Sequence, residues 1–253
     1  MQEKISKAFL KEEHLSYAPD KQGRLRLRPR RGVPAARIRE DPAFERTRKQ
    51  GAEFGNAIRM SGRLRNAFDT TGRSIGGPHL TARLVSPLVK VIQGDTRHPL
   101  GERCVADGDL GQLAGFEFNE YHCPPALSGL RCSLLWSRQG DRVLLQTDAF
   151  AASVLRTPQV QHATHFRVSL LIGVIPGELE KQSTLYKEST DSMVMAHDIV
   201  PALRAAVDLQ PDQKPVLYCV ALSVSFYQFR GSLSIPFKSG KLDLLRVLMA
   251  FSA

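Results

Sequence analysis

Residues 24–32 read Arg-Leu-Arg-Leu-Arg-Pro-Arg-Arg-Gly. Alternation of arginine with leucine is the period of a strand that has one cationic and one apolar face. Residues 19–23 are turn formers that join this strand to residues 15–18, so the sequence predicts a hairpin. Pro29 ends the pairing because proline lacks a backbone donor. The candidate contacts to a partner or a polyanion are Arg24, Arg26, Arg28, Arg30, Arg31, Arg37 and Arg39.

Two amphipathic helices are predicted after the hairpin. Asp41 and Pro42 indicate the start of the first, because aspartate caps free N–H groups and proline has the right φ for the first helical position. Its apolar residues are expected on one broad stripe, and its glycines mark points where it is expected to break. The stripe is Phe44, Phe54, Ile58, Leu64 and Phe68, and the glycines are Gly51, Gly55 and Gly62. The apolar side of the second helix is Leu80, Leu84, Leu88, Val91 and Ile92.

After Gly115 the spacing of apolar residues changes from about 3.6 to about 2, which predicts strands. Antiparallel strands at this spacing favour a sandwich of immunoglobulin or fibronectin type. The predicted fold class is therefore α+β. Residues 1–115 form a basic region of hairpin plus helices, and residues 116–253 form a β-sandwich domain. Residues 176–213 leave two alternatives open, a helix at 202–207 or a strand around Tyr186.

The net charge is concentrated in the first part of the chain. Lys, Arg, Asp and Glu sum to +11 over residues 1–100 and to −1 over residues 101–253, which together give the formal charge of +10. Such asymmetry suits an anionic partner such as nucleic acid or an acidic patch on another subunit. A solvated basic surface is the alternative, as is a charged edge strand that deters aggregation.

Targeting and cysteine patterns limit the location of the protein. The first seven residues lack an apolar run, and no segment holds the roughly 20 apolar residues that cross a bilayer. We therefore expect no signal peptide and no membrane span, with the protein in the cytoplasm or in an assembled particle. The four cysteines show no metal-site spacing and are expected to be free thiols.

One family resemblance follows from the stretch between the hairpin and the first helix. Residues 32–55 read Gly-Val-Pro-Ala-Ala-Arg-Ile-Arg-Glu-Asp-Pro-Ala-Phe-Glu-Arg-Thr-Arg-Lys-Gln-Gly-Ala-Glu-Phe-Gly. Shorter motifs are Val-Lys-Val-Ile at 89–92, Gly-Phe-Glu-Phe-Asn at 115–119 and Ala-Thr-His-Phe at 163–166. Together they resemble a family of Bacteroidota proteins of unknown function. The resemblance implies a bacterial, non-enzymatic protein and assigns no role to any residue.

Catalytic patterns are weak in this sequence. No nucleophile elbow and no phosphate-binding glycine loop occurs, so we expect no enzyme, no cofactor and no metal. One acidic cluster merits a test for acid–base chemistry or calcium binding, with helix capping as the alternative. Its members are Asp107, Asp109, Glu117 and Glu120.

The sequence therefore predicts a non-catalytic structural or interaction protein. It is expected to form a homo-oligomer or to join other protein subunits, for example in a phage-like particle, with the arginine-rich strand as a docking arm. The alternative is a sequence-nonspecific nucleic-acid-binding protein in which the same arginines contact phosphates.

Overall fold

The computed structural model describes residues 15–19, 21–29, 32–69, 77, 79–119, 133–176, 182–209, 216–237 and 243–252. The chain divides into two compact units, Met1–Arg48 and Lys49–Ala253.

The first unit contains the predicted hairpin. Strand β1 (Leu15–Pro19) pairs antiparallel with β2 (Leu25–Pro29). Tyr17 lies opposite Leu27, and Ala18 lies opposite Arg26. Because side chains alternate along a strand, the leucines of β2 share one face and Arg26 lies on the other. The alternation of arginine and leucine thus correctly predicted both the strand and its two faces.

A short helix and a capped turn follow the hairpin. Helix α1 spans Ala35–Glu40, and a 3₁₀ turn spans Pro42–Phe44. The Asp41 carboxylate accepts a hydrogen bond from the backbone N–H of Ala43 at 2.9 Å, which is the predicted capping role. Arg48 donates to two carbonyl oxygens at the end of α1, at 2.8 and 2.9 Å, and so satisfies groups that a helix end leaves open.

Two longer helices form one layer of the second unit. Helix α2 spans Glu45–Asp69 and is not broken at its three glycines, and α3 spans Leu80–Gln93 with Pro87 inside it. The α3 residues Leu80, Leu84, Leu88, Val91 and Ile92 are buried, as their spacing predicted. On α2, however, only part of the predicted stripe is buried, since Leu64 and Phe68 are covered whereas Phe54 and Ile58 are exposed.

The strands of the second unit are all antiparallel. They are β3 (Leu134–Gln139), β4 (Arg142–Thr147), β5 (Phe150–Ala151), β6 (His165–Pro176), β7 (Thr184–Ser189), β8 (Met193–Val194), β9 (Ile199–Val200), β10 (Arg204–Asp208), β11 (Val216–Arg230), β12 (Leu233–Pro236) and β13 (Leu244–Ser252). In the six-stranded sheet β11 pairs with β6, while β13 and β12 follow one another along the other edge of β11. Strands β7 and β8 pair with the free edge of β6. A three-stranded sheet has the order β10-β4-β3.

The structure decides between the two alternatives for residues 176–213. Tyr186 lies in β7, so the strand prediction is confirmed. The helix prediction for residues 202–207 is wrong, because β10 pairs with β4 and places Val207 opposite Val143. Both valines are buried, and a period of two therefore satisfies this segment better than a helical period.

The six-stranded sheet is covered on both faces. One face, including Leu170 and Val220, packs with Val143 and Val207 of the three-stranded sheet. The opposite face belongs to a second core cluster, in which Leu171, Cys219 and Leu245 join the buried side chains of α2 and α3. The second unit therefore has three layers, helices on a six-stranded sheet on a smaller sheet. The predicted domain boundary between residues 115 and 116 stays a prediction.

Close contact between helix and sheet depends on Gly173 of β6. A Cβ atom at this position would lie 3.2 Å from Cζ of Phe68, closer than side chains normally approach. Phe68 also packs edge-to-face on Phe118, with ring centroids 5.3 Å apart. Glycine at position 173 thus lets the end of α2 lie directly on the sheet.

The structure has both helices and antiparallel sheets, which confirms the α+β class. No helix in the described part of the chain is long and apolar enough to cross a membrane.

Candidate functional site

The arginines that the sequence proposed for partner contact lie on different elements of the first unit. Arg26 and Arg28 belong to β2, where their backbones pair with Ala18 and Ser16, and Arg24 lies just before the strand. Arg37 and Arg39 belong to α1. Arg30 and Arg31 lie outside the described residues. The role of this set in binding stays a prediction.

Arg37 has a local structural partner. Its Nε donates to the Asp41 carboxylate at 3.0 Å, and its guanidinium lies 5.9 Å from the ring centroid of Phe44. The hydrogen bond from the Ala43 N–H, followed by that from Arg37, lowers the pKa of Asp41. Arg37 therefore stabilises the start of the helical segment, a contact that competes with binding a phosphate.

The apolar face of the hairpin is exposed. Leu25 is 68% exposed, and Tyr17 and Leu27 are also classed among the exposed large apolar residues. Both strands pair only with each other among the described residues. A two-stranded hairpin is marginally stable on its own, so apolar side chains left open on it are candidates for contact with another surface.

A second exposed apolar surface lies between α2 and α3, in the second unit. The residues Phe54, Ile58, Ala82, Val85, Val89 and Lys90 line a groove with a volume of about 840 Å³. Phe54 is 52% exposed and Ile58 is 44% exposed, whereas Val85 at the floor is buried. We call this surface the helix groove.

The sequence explains why the groove forms. Helix α3 is apolar on two adjacent sides, because Leu84 and Leu88 point to the sheet while Val85 and Val89, one residue farther along, lie about 100° around the helix. On α2 the sheet covers Leu64 and Phe68 but not Ile58. The spacing on α2 grouped Phe54 and Ile58 with Leu64 and Phe68 on one stripe, so the groove was not predicted from the sequence. The second apolar side of α3 was the signal that marked it.

Few negative charges lie on the two helices that form the groove. Residues 49–69 and 80–93 carry six basic residues and two acidic ones. One of the two acids, Glu53, is buried and accepts hydrogen bonds from Nε and a terminal nitrogen of Arg103, both at 2.7 Å. Arg103 thus holds the pKa of the Glu53 carboxyl below its usual range. Among the residues that line the groove, Lys90 carries a charge, and it is positive.

The loop after α3 contains a polar cluster centred on Asp95. The buried Asp95 carboxylate accepts bonds from the backbone N–H groups of Arg97, His98 and Cys104 at 2.9, 3.2 and 3.2 Å, and contacts Nδ1 of His98 at 2.8 Å. Burial raises the pKa of Asp95, but the bond from His98 and the backbone bonds outweigh it and lower that pKa to about 2. The same bond raises the pKa of His98. The cluster ties the loop together.

Three side chains of this cluster have the geometry of metal ligands. Atoms of Asp95, His98 and Asp107 lie within 4.8 Å of one another. Their candidate ligand atoms already have partners, since the Asp107 carboxylate accepts from Sγ of Cys104 at 2.9 Å and from Arg97 at 3.3 Å. A metal would have to displace these bonds, so the cluster reads as a structural hydrogen-bond network.

The acids that the sequence proposed for testing have separate structural partners. Asp109 caps a 3₁₀ turn through the N–H of Gly111, the capping role that was the alternative to catalysis. Oε1 of Glu117 accepts from the backbone N–H groups of Asn119 and Leu245, at 3.1 and 3.0 Å. Asp107 belongs to the loop cluster, and Glu120 lies outside the described residues.

Glu117 is the most perturbed of these acids. Burial raises the pKa of its carboxyl to about 7, against the lowering effect of its two backbone bonds and of Arg246. Nε of Arg246 lies 3.8 Å from Oε2 of Glu117, beyond hydrogen-bond distance. In the described part of the chain Oε2 accepts no hydrogen bond. The side chain joins the segment after α3 to β13, which is a structural role.

No family model matches this chain, and no curated protein matches it significantly. The resemblance to a Bacteroidota family stays a prediction.

Proposed function

We propose that this chain is a non-catalytic structural or interaction protein that assembles with copies of itself or within a larger, phage-like particle. Its place would be the cytoplasm or that particle. The amino-terminal hairpin is the docking arm in this proposal, and the three-layered second unit is the body.

The observation that carries the proposal is the open apolar face of the hairpin. Leu25 at 68% exposed, together with Tyr17 and Leu27, leaves three large apolar side chains in water on a sheet of only two strands. Burying one such side chain against a partner contributes about 1.5–3 kcal/mol. The edges of the hairpin also offer backbone groups for pairing with another strand.

Light scattering coupled to size exclusion tests the proposal on nucleic-acid-free protein. We expect a defined oligomer, and we expect the double variant Leu25→Glu with Leu27→Glu to lower its mass, because two charges would have to be buried at the interface. The control is Leu233→Glu on β12, where a leucine is exposed to a similar extent. A monomer at all concentrations, or a mass that the hairpin variant leaves unchanged, contradicts the proposal.

Nucleic-acid binding is the second candidate, and the alternation of Arg26 and Arg28 with Leu25 and Leu27 in the sequence of β2 favours it. If the chain is a monomer that shifts only when nucleic acid is added, this candidate replaces the first. Its affinity would then fall steeply with salt, and Arg26→Gln with Arg28→Gln would reduce the salt slope by about 2, one unit for each phosphate contact.

The immunoglobulin- or fibronectin-like type of the sandwich also stays a proposal. It is supported by the core that the six-stranded and three-stranded sheets share. The helices on the outer face of the larger sheet are an addition to that architecture.

A further inference from the structure

The function proposed for the hairpin assigns no role to the helix groove of the second unit. We propose that it binds an amphipathic helix with acidic flanks that belongs to a different protein. This inference rests on the shape and charge of the groove, and it stands independently of the assembly proposed for the hairpin.

The dimensions of the groove fit a helix. Its α3 wall runs from Thr81 to Gln93, which corresponds to about 18 Å at 1.5 Å per residue. That length spans slightly more than three turns of a bound helix, enough for apolar side chains at i, i+3, i+4 and i+7. Phe54, Ile58 and Val89 on the walls and Val85 at the floor would contact these side chains.

The openness of the groove argues against a small molecule as its occupant. Sites for small molecules bury about 70–90% of the ligand surface. Here most of the lining residues are exposed, among them Phe54, Ile58, Ala82 and Lys90. A long partner lying across the groove covers such a surface, whereas a small ligand would leave most of it wet.

The charges select an acidic partner. Lys90 lines the groove, and Arg65 lies seven residues after Ile58, so it projects from the same side of α2. Arg59 is exposed and bonded to the neighbouring Asn56. The Glu53 carboxylate on α2 is buried and neutralised by Arg103. Glutamates beside the apolar stripe of a partner would face cations on both walls.

The same charges disfavour a second copy of this chain. A twofold dimer through the groove would place the basic walls of both copies against each other, because an isologous interface contacts itself. Like charges brought together in this way weaken association. The partner is therefore expected to be a different chain of opposite charge.

Synthetic peptides provide the probe. One is a helix of about 16 residues with leucines at helical spacing and glutamates on both flanks, held helical by a side-chain staple because short helices are marginal in water. The other has a lysine in place of each glutamate and keeps the same leucines. Fluorescence anisotropy of labelled peptide against the full chain measures both affinities.

We expect the glutamate peptide to bind at least about fivefold more tightly than the lysine peptide. Ile58→Glu and Val89→Glu should each weaken binding about tenfold or more, because each places a charge on the apolar wall. Lys90→Glu should reduce the preference for the glutamate peptide. Leu233→Glu, far along the chain on β12, should bind like the unaltered protein, and circular dichroism verifies that all variants are folded.

Four results would overturn the inference. The first two are that neither peptide binds at millimolar concentration, or that both bind equally well. The third is that Leu233→Glu loses binding to the same extent as Ile58→Glu. The fourth is that the protein forms a dimer that Ile58→Glu dissociates. Flotation with vesicles that contain anionic lipid is a further arm. Vesicle binding that requires Ile58 while the peptides fail to bind would assign the groove to a membrane surface instead.

Discussion

Glu53 and Phe54 are neighbours on α2, yet their environments reverse what their chemistry would suggest. The charged residue is 7% exposed, and the aromatic residue is 52% exposed. Glu53 lies on the side of the helix that meets the loop after α3, and Phe54 lies on the wall of the helix groove. One residue is thus a buried charge, and the other is an exposed aromatic ring.

The difference lies in which groups have partners. The Glu53 carboxylate accepts hydrogen bonds from Nε and a terminal nitrogen of Arg103. It also accepts one from the backbone N–H of Gly101, at 2.8 Å. Gly101 has φ of +97°, and a Cβ there would lie 2.8 Å from Cγ of Lys49, so the close approach of loop and helix requires glycine. A buried carboxylate whose oxygens all accept hydrogen bonds, as in Glu53, has a structural role. An exposed aromatic ring, as in Phe54, marks a candidate binding surface.

Removing the partner of Glu53 is expected to have a larger effect on stability than altering Glu117 or Phe54. Arg103→Met removes the guanidinium and leaves a carboxylate buried without its ion pair, which should lower the free energy of unfolding by about 3 kcal/mol. Urea denaturation monitored by circular dichroism measures the change. The pKa of Glu53 is lowered in the folded state, so its contribution is present above the ordinary value of 4.5 and is lost as pH falls through the folded pKa.

A double variant provides the control for this prediction. Glu53→Met with Arg103→Met removes both charges and should recover most of the loss, because well-packed apolar residues can replace a buried pair. If Arg103→Met alone lowers the free energy of unfolding by less than about 0.5 kcal/mol, the pair behaves as a surface ion pair. That result would contradict the structural role given to Glu53.

Glu117 is a buried acid that accepts fewer hydrogen bonds than Glu53. Its pKa is raised to about 7 from an ordinary 4.5, so the folded state holds a proton that the unfolded state releases between these values. The Glu117 contribution is therefore full below about pH 4.5 and is lost as pH rises toward 7. Glu117→Gln keeps an oxygen for the N–H groups of Asn119 and Leu245 but cannot ionise.

The expected result for Glu117→Gln is a change in pH dependence. From pH 5 to pH 8 the stability of the variant relative to the unaltered chain should rise by about 2.5 kcal/mol, since each unit of pKa shift corresponds to 1.36 kcal/mol and slightly less than two units of the shift are expressed between these pH values. Urea denaturation at both pH values measures it. Parallel pH profiles for the two proteins would mean that Glu117 ionises normally in the fold.

The sequence predicted those parts of the fold in which a local pattern of residues determines the local structure. The Arg–Leu alternation around Arg26 predicted the hairpin, and Leu84 and Leu88 predicted the buried side of α3. Asp41 predicted its own capping bond. These features depend on local spacing and local hydrogen bonds, which a sequence contains.

Features that depend on what covers a surface were not predictable in the same way. Period-two spacing after Gly115 predicted strands, but it did not show that Leu171, on the face opposite Leu170, would be covered by helices. The nearly continuous apolar run in β6 is typical of a strand buried on both faces and was the available signal. Likewise, spacing grouped Ile58 with Leu64, although only Leu64 meets the sheet.

The smallest effect is expected on the Phe54 side. Phe54→Ser should change the free energy of unfolding by less than about 1 kcal/mol, because the ring is half exposed and serine and phenylalanine have similar helix propensities. Leu64→Ala, at a fully buried position of the same helix, should cost about 2–5 kcal/mol, and urea denaturation compares the two. A cost for Phe54→Ser that matches that of Leu64→Ala would mean that the ring is covered in solution. The helix groove would then be filled in the free protein, and an added partner helix would have to compete with whatever fills it.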